Sequence, residues 1–239
     1  MKTTLRRTII ASMITAIGSP VFLIPKMSFA ATPTKSEEII AKAPVLVILL
    51  DNSGSSPTFQ NEFMKEAVKL IDTKLREQPL GTMVRIFTVG TAEAASMTYS
   101  TRILAKVTAE GATAELVGQK VRDIVLSFPA QIKSGVIQEH GTSHLVAGLF
   151  DAERVLNRKA EKNTVIYLTD GVENSTLANC YKDTKCRLPK PNFDLSNTEV
   201  IMLGVGSGLP SNQEMAVIKS WENLLKIAKA EPIIVRKIF

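Results

Sequence analysis

The chain has 239 residues, of which 45% are hydrophobic and 22% are charged. This balance is typical of a globular protein and excludes extended disorder, a collagen-like repeat and a coiled coil. The formal charge of +6 comes largely from the first 30 residues, since the remaining chain has 25 basic and 23 acidic residues and a formal charge of +2. The charge therefore does not indicate a nucleic-acid partner.

Residues 1–30 have the pattern of a secretory signal peptide. Three basic residues, Lys2, Arg6 and Arg7, precede an apolar stretch, and Ser28-Phe29-Ala30 places small residues where a signal peptidase requires them. The alternative is an uncleaved membrane anchor, but glycine and proline interrupt the apolar run, which falls short of the roughly 20 residues that span a bilayer. We expect cleavage after residue 30 and an exported protein, periplasmic or secreted.

The first predicted elements of the mature chain form a β-α-β unit. Residues 31–43 are polar and small and are predicted to be a short lead-in to a single domain over residues 44–239. Residues 44–50 are a continuous apolar run, typical of a strand buried on both faces of a parallel sheet. Apolar residues then recur at helical spacing over residues 63–75, and residues 83–89 predict a second strand.

The rest of the chain continues this alternation. We predict an edge strand within residues 97–108, helices over 117–128, 145–156 and 215–228, strands over 163–169, 198–205 and 232–235, and a connection over 131–141. Alternating strands and helices predict a doubly wound, Rossmann-like α/β fold with a mostly parallel sheet flanked by helices. Such sheets bind ligands at the carboxyl ends of their strands.

Cys180 and Cys186 are the only cysteines, and five residues separate them. In an exported protein this pair favours a disulfide that closes a small loop. Two free thiols are the alternative, and a zinc site is disfavoured because no histidine lies near enough to complete it. The basic residues around the cysteines form either a contact loop or only a solvated face: Lys182, Lys185, Arg187 and Lys190.

Oxygen-bearing side chains are predicted to gather at the carboxyl edge of the sheet. The set comes from three loops and consists of Asp51, Ser53, Ser55, Thr142 and Asp170. Each aspartate alone is better explained as a cap for the helix or loop that follows its strand. Together with the three hydroxyl groups they suit a hard divalent cation, with Mg²⁺ favoured and Mn²⁺ or Ca²⁺ as alternatives.

Four segments of the chain resemble the von Willebrand factor A (vWA) domain family. They are Val47–Ser55 with its Asp-x-Ser-x-Ser motif, Gly141-Thr142 followed by Ala147, Val165–Gly171 and Ile201–Gly206. The sequence departs from the family pattern at His144, where the family often has another hydroxyl. It also has an insertion-like segment, residues 175–196, which contains both cysteines.

The resemblance implies the family's metal-ion-dependent adhesion site. In that site Ser53, Ser55 and Thr142 would contact the metal directly, and Asp51 and Asp170 would act largely through bound water. Because neutral hydroxyl groups leave most of the cation's charge uncompensated, an Asp or Glu carboxylate of a protein partner can complete its coordination. We therefore expect a binding protein with an adhesion or envelope-assembly role, no catalytic residues and no nucleic-acid partner.

Two enzymatic alternatives use the same residues. If Ser53 were a nucleophile it would need a base within hydrogen-bond reach, and only His140 and His144 could serve. No Gly-x-Ser-x-Gly motif is present, but a metal-dependent hydrolase of the same α/β topology remains the alternative function. An aspartyl phosphotransferase would carry Asp-x-Asp where this chain has Asp51 and Ser53.

Overall fold

A computed structural model describes residues 35–90 and 95–237 of the protein. The predicted signal peptide lies outside these residues. Within the predicted lead-in, helix α1 occupies Lys35–Lys42. None of the helices in the described ranges is long and apolar enough to cross a membrane.

In the described residues, seven strands form one sheet. They are β1 Val45–Asp51, β2 Met83–Val89, β3 Ser96–Ile103, β4 Gly111–Ala112, β5 Asn163–Leu168, β6 Thr198–Leu203 and β7 Ile233–Arg236. Their order is β4-β3-β2-β1-β5-β6-β7, and the pairing is parallel everywhere except between β2 and β3. The predicted fold class, a mostly parallel sheet flanked by helices, is confirmed.

Four further helices cover the two faces of this sheet. They are α2 Asn61–Arg76, α3 Ala114–Lys133, α4 Leu145–Val155 and α5 Ser211–Ile227. Alternate residues of β1 point to opposite faces. Val47 and Leu49 pack with α4 and α5 in one core, and Ile48 and Leu50 pack with α2 and α3 in the other. This explains why β1 is apolar at every position up to its final aspartate.

Two elements differ from the sequence prediction. The predicted edge strand over 97–108 ends at Ile103, and the short strand β4 lies outside it at the edge of the sheet. The segment had no clear alternation because β3 is largely exposed. Helix α3 continues past residue 128 to Lys133 with the buried Pro129 inside it, so the connection predicted from residue 131 begins later. A proline normally ends a helix, and packing of Pro129 against the core overrides that tendency.

A candidate metal site at the carboxyl edge of the sheet

Two buried carboxylates lie at the carboxyl ends of neighbouring strands. Asp51 is the last residue of β1, and Asp170 follows the end of β5, the strand that pairs with β1. Their exposed fractions are 0% and 1%. No basic side chain in residues 35–90 or 95–237 forms an ion pair with either one. Within the described ranges the fold therefore buries two carboxylates here without a basic partner.

Hydrogen bonds fix both carboxylates. The backbone N–H of Ser53 donates to Asp51 Oδ1 at 2.9 Å, and the Thr169 hydroxyl donates to Asp51 Oδ2 at 2.7 Å. The backbone N–H of Val172 donates to Asp170 Oδ1 at 2.8 Å. These bonds orient the carboxylates but do not neutralise them.

The electrostatics of the pair follow from this burial. Burial raises the pKa of Asp51, and the nearby charge of Asp170 raises it further, to about 7. Burial also raises the pKa of Asp170, against the opposing effect of the Ser55 hydroxyl. Both shifts indicate a position where a positive charge would be strongly stabilised.

The Ser53 hydroxyl lies in the same place and has no hydrogen-bond partner. Ser53 is only 2% exposed, and its Oγ is among the few buried polar side-chain atoms of the described chain that lack a partner. A buried hydroxyl left in this state costs about 1–3 kcal/mol. Its lone pairs are available to a cation between the carboxylates, so the residues at this edge fit an oxygen-coordinated metal.

The structure brings the second predicted loop against the first. The His140 N–H donates to the Asn52 carbonyl at 3.1 Å, and the Gly54 N–H donates to the His140 carbonyl at 3.1 Å. These two bonds place Thr142 beside the Asp-x-Ser-x-Ser loop. Thr142 is exposed, and its hydroxyl donates a long hydrogen bond of 3.4 Å to the Gly90 carbonyl oxygen. A bond of this length holds the side chain weakly.

Glu173 is a structural residue of the site that the sequence analysis missed. Its side chain is fully buried, and Oε2 accepts the backbone N–H of Val146 at 2.9 Å, in the first turn of α4. The backbone N–H groups at the start of α4 favour the carboxylate, but burial has the larger effect and raises the pKa of Glu173. Glu173 thus links the third loop to the helix that follows Thr142. The two partners are 27 positions apart in the sequence, so no local pattern reveals the contact.

The third loop is tied to the second by backbone bonds as well. The Ser143 N–H donates to the Asn174 carbonyl at 3.1 Å, and the Asn174 N–H donates back to the Ser143 carbonyl at 3.0 Å. The structure therefore joins all three predicted loops and gathers all five predicted site residues at one edge. His144, the departure from the family pattern, precedes α4 without capping it through its side chain.

The chemistry of the donor set limits which ions fit. No group of three or more His, Cys, Asp or Glu side chains in the described part of the chain is arranged to hold a metal. A cation at this edge must therefore use hydroxyl oxygens together with the two carboxylates. Oxygen donors of this kind suit Mg²⁺, Mn²⁺ or Ca²⁺ better than a metal that prefers nitrogen or sulfur.

The nucleophile hypothesis finds no hydrogen-bonded base in this arrangement. Neither His140 nor His144 makes a side-chain hydrogen bond with Ser53, whose hydroxyl has no partner within the ranges that the structure describes. Burial lowers the pKa of His144. The geometry thus offers Ser53 as a cation ligand rather than as an activated hydroxyl.

The structure joins Cys180 and Cys186 by a disulfide, as the sequence analysis favoured. Both cysteines are buried and pack in the core with α5, although the residues between them are mostly exposed. The exposed residues include the basic side chains of Lys182 and Lys185.

Comparison with known proteins adds structural similarities only. No family model matches the sequence, and no curated protein matches it. Similar solved structures include proximal thread matrix protein 1 from the mussel byssus with a zinc-occupied MIDAS motif, at 16% identity and a TM-score of 0.44, covering 78% of this chain and 47% of that one. This chain thus spans about half the length of the mussel protein.

Two further structures are similar over most of both chains. The manganese-loaded TRAP protein of Plasmodium vivax has 17% identity and a TM-score of 0.37, covering 80% of this chain and 74% of that one. The SpRpn10 VWA domain has 15% identity and a TM-score of 0.41, covering 82% and 88%. VWA domains are thus among the structures that this α/β chain resembles. Its sequence motifs resemble the same family.

Proposed function

We propose that this protein binds a divalent cation and, through it, a carboxylate of a protein partner. The observation that carries the proposal is the Ser53 hydroxyl, buried without a hydrogen-bond partner beside two buried carboxylates that have no basic partner in the described chain. The residues that would hold the cation are Asp51, Ser53, Ser55, Thr142 and Asp170.

The five residues would contact the cation in two ways, either directly or through bound water. The hydroxyl groups of Ser53, Ser55 and Thr142 are neutral ligands, and Asp51 and Asp170 would act largely through bound water. A cation held in this way supplies positive charge and a coordination position open to an outside carboxylate. Mg²⁺ is the proposed ion because it prefers oxygen ligands and keeps several positions for water or a partner.

Thr142 is the proposed ligand whose loss should affect partner binding more than cation binding. Ser53 follows a buried strand and its backbone is fixed by Asp51, whereas Thr142 is exposed and its hydroxyl is held only by the long bond to Gly90. Thr142 can therefore change position when a partner docks. A partner drives such a change only by binding one position better than the other.

We further propose that the protein works after export, in the periplasm or outside the cell, in adhesion or envelope assembly. The disulfide between Cys180 and Cys186 supports this setting, because such bonds form and persist in oxidising compartments. The leader pattern of residues 1–30 points to the same compartment.

The proposal is tested by capturing partners from an extract of exported proteins on the immobilised chain. The capture is run with Mg²⁺ and with a chelator, and Ser53→Ala is the matched control because its side chain makes no hydrogen bond whose loss could unfold the protein. We expect partners that are retained only by the parent protein with Mg²⁺. Retention of the same proteins under chelation, or equally by Ser53→Ala, would show that the metal plays no part in binding.

A further inference from the structure

The disulfide-closed ring Cys180–Cys186 is attached directly to the candidate metal site. The Cys180 N–H donates to the Glu173 carbonyl at 2.8 Å, three residues after Asp170. The Cys180 carbonyl accepts a hydrogen bond from Gln213 Nε2 of α5 at 2.8 Å. The first residue of the ring is therefore held between the third metal loop and a helix of the core.

A second set of bonds connects the ring to the loop that carries Thr142. Asn179 Nδ2 donates to Asn174 Oδ1 at 3.0 Å, and Asn174 Nδ2 donates to the Gly141 carbonyl at 3.2 Å. The Asn179 side chain also accepts the N–H of Lys182 at 3.0 Å. This chain of asparagines runs from the ring to the residue before Thr142, so the ring forms part of the rim of the site.

Tyr181 shows that the ring reaches the ligands themselves. Its side chain is exposed, and it lies near the Ser55 hydroxyl. Tyr181 therefore lies at the surface beside one of the proposed ligands.

The ring presents positive charge to solvent. Lys182 and Lys185 are exposed, and within the described ranges no carboxylate forms an ion pair with either side chain. The ring's own acidic residue, Asp183, accepts the backbone N–H groups of Lys185 at 3.0 Å and Arg187 at 3.4 Å. Its charge is thus turned toward the ring's backbone, and the lysines are left for a partner.

A carboxylate lies beside the first of the three loops. The Glu139 side chain lies over Gly54, so closely that a side chain at that position would collide with the carboxylate. The surroundings of the site therefore carry both signs of charge, with exposed lysines on the ring and a carboxylate beside Gly54. A partner that extends its own acidic residues would place them toward the ring.

We infer that the ring Cys180–Cys186 is a second contact surface and that the partner is an acidic protein segment. One carboxylate of the segment would bind the metal, and neighbouring carboxylates would pair with Lys182 and Lys185. This inference rests on the proposed function, because it assumes that the metal position receives a carboxylate.

An acidic protein segment fits better than a nucleic acid. Nucleic-acid binding draws its affinity from many phosphate contacts, whereas the ring offers two lysines and the chain after residue 30 has a formal charge of only +2. Two cations beside one metal match a short run of carboxylates instead.

The test uses two synthetic peptides measured by fluorescence anisotropy with Mg²⁺ and with a chelator. One peptide is hexaglutamate, and the other has a single glutamate among serines and glycines. The ring variant is Lys182→Gln with Lys185→Gln. The matched control is Lys219→Gln with Lys226→Gln, which removes the same charge from exposed positions on α5.

We expect the parent protein to bind hexaglutamate roughly tenfold more tightly than the single-glutamate peptide. The ring variant should lose most of this difference while keeping Mg²⁺-dependent binding of the single-glutamate peptide, and the control variant should keep both. Breaking the disulfide with Cys180→Ser and Cys186→Ser should reduce the difference, because the lysines would no longer be held beside the site.

The outcomes separate the two proposals. If both peptides bind equally well under chelation, the proposed function is wrong. If binding needs Mg²⁺ but the ring variant and the control variant behave alike, only the inference about the ring is wrong. If an oligonucleotide of equal charge binds the parent as tightly as hexaglutamate and depends equally on Lys182 and Lys185, the assignment to an acidic protein is overturned.

Discussion

The buried carboxylates at the two edges of the sheet differ in whether a basic side chain pairs with them. At the amino ends of the strands, Glu199 is 4% exposed, and Lys74 Nζ lies 3.1 Å from both of its carboxylate oxygens, with Lys162 at 3.3 Å. At the carboxyl ends, Asp51 and Asp170 are buried at least as deeply and have no basic partner in the described ranges. In the described ranges the chain thus supplies cations to Glu199 but none to Asp51 and Asp170.

The free energy of burying an unpaired carboxylate is large enough for this difference between the two edges to affect stability. Burying an unpaired charge costs several kcal/mol, and removing one partner of a buried pair is similarly expensive. Burial lowers the pKa of Lys74, but its hydrogen bonds to Glu199 and Glu77 more than offset this effect and leave the pKa raised. No comparable compensation reaches the aspartates, so a bound cation would relieve a cost that the fold carries without it.

The largest effect on stability is expected at the amino edge. Lys74→Met should lower the free energy of unfolding by about 3 kcal/mol, because it leaves Glu199 buried with only the more exposed Lys162 as a partner. Urea denaturation with and without Mg²⁺ should give the same loss. Lys69→Met is the control on the same helix: its exposed pair with Glu66 should contribute less than about 1 kcal/mol. Equal losses in the two variants would remove the contrast between the edges.

The next largest effect is on the pH dependence of stability. The metal-free protein should become less stable as the pH rises, whereas ordinary acid denaturation makes a protein less stable as the pH falls. Asp51 has a pKa of about 7 in the folded protein against 3.8 for an ordinary aspartate, so between these values the folded state holds more protons than the unfolded one. Without metal, stability should therefore fall by about 2 kcal/mol as the pH rises from 5 to 7. Asp170 and Glu173 shift in the same direction.

Denaturation at a series of pH values in chelator measures this trend. Asp51→Asn should flatten it, and saturating Mg²⁺ should stabilise the parent more at pH 7.5 than at pH 5, because the cation binds the ionised carboxylates. A metal-free stability that rises steadily from pH 5 to pH 7 would show that these carboxylates are already compensated.

A smaller effect of opposite sign is expected from Ser53→Ala. Removing a buried hydroxyl that has no partner should raise the stability of the metal-free protein by about 1 kcal/mol. The same substitution should weaken Mg²⁺ binding, because it removes a ligand. Thermal unfolding in chelator and with Mg²⁺ separates the two effects, and a stability loss in chelator would mean that the hydroxyl already has a structural partner.

The smallest effect on cation affinity is expected from Thr142→Ala. The Thr142 hydroxyl makes only a long hydrogen bond and is exposed, so its loss should change Mg²⁺ affinity by less than about tenfold, or about 1.4 kcal/mol. Binding of the single-glutamate peptide should fall further than Mg²⁺ affinity does. If both affinities fall by the same factor, Thr142 is an ordinary metal ligand and does not distinguish partner binding.

The fold was largely predictable because its central strands are apolar on both faces. The strand predicted at residues 83–89 is β2. The aspartates at the ends of two buried strands indicated the edge of the sheet where the site would lie. Composition could not place the short strand β4 or extend α3 through Pro129, since both depend on packing between distant segments.

The five proposed ligands could be named from motifs, but their surroundings could not. Glu173 contacts the start of α4 from another loop, and Thr169 bonds Asp51 across 118 positions of sequence. The placement of Tyr181 beside Ser55 likewise depends on an insertion whose path follows no periodic pattern. Contacts of this kind arise only when the three loops meet.

The most direct test of the contrast between the edges is calorimetric titration of Mg²⁺ into the metal-free protein at pH 7.5. The parent, Asp51→Asn, Asp170→Asn and Lys162→Met are compared, with circular dichroism to verify that each is folded. We predict one binding site in the parent and in Lys162→Met, and loss of at least 100-fold in affinity, about 2.7 kcal/mol, in both aspartate variants. Unchanged Mg²⁺ binding in the two folded aspartate variants, or no binding by the parent, would contradict the metal site.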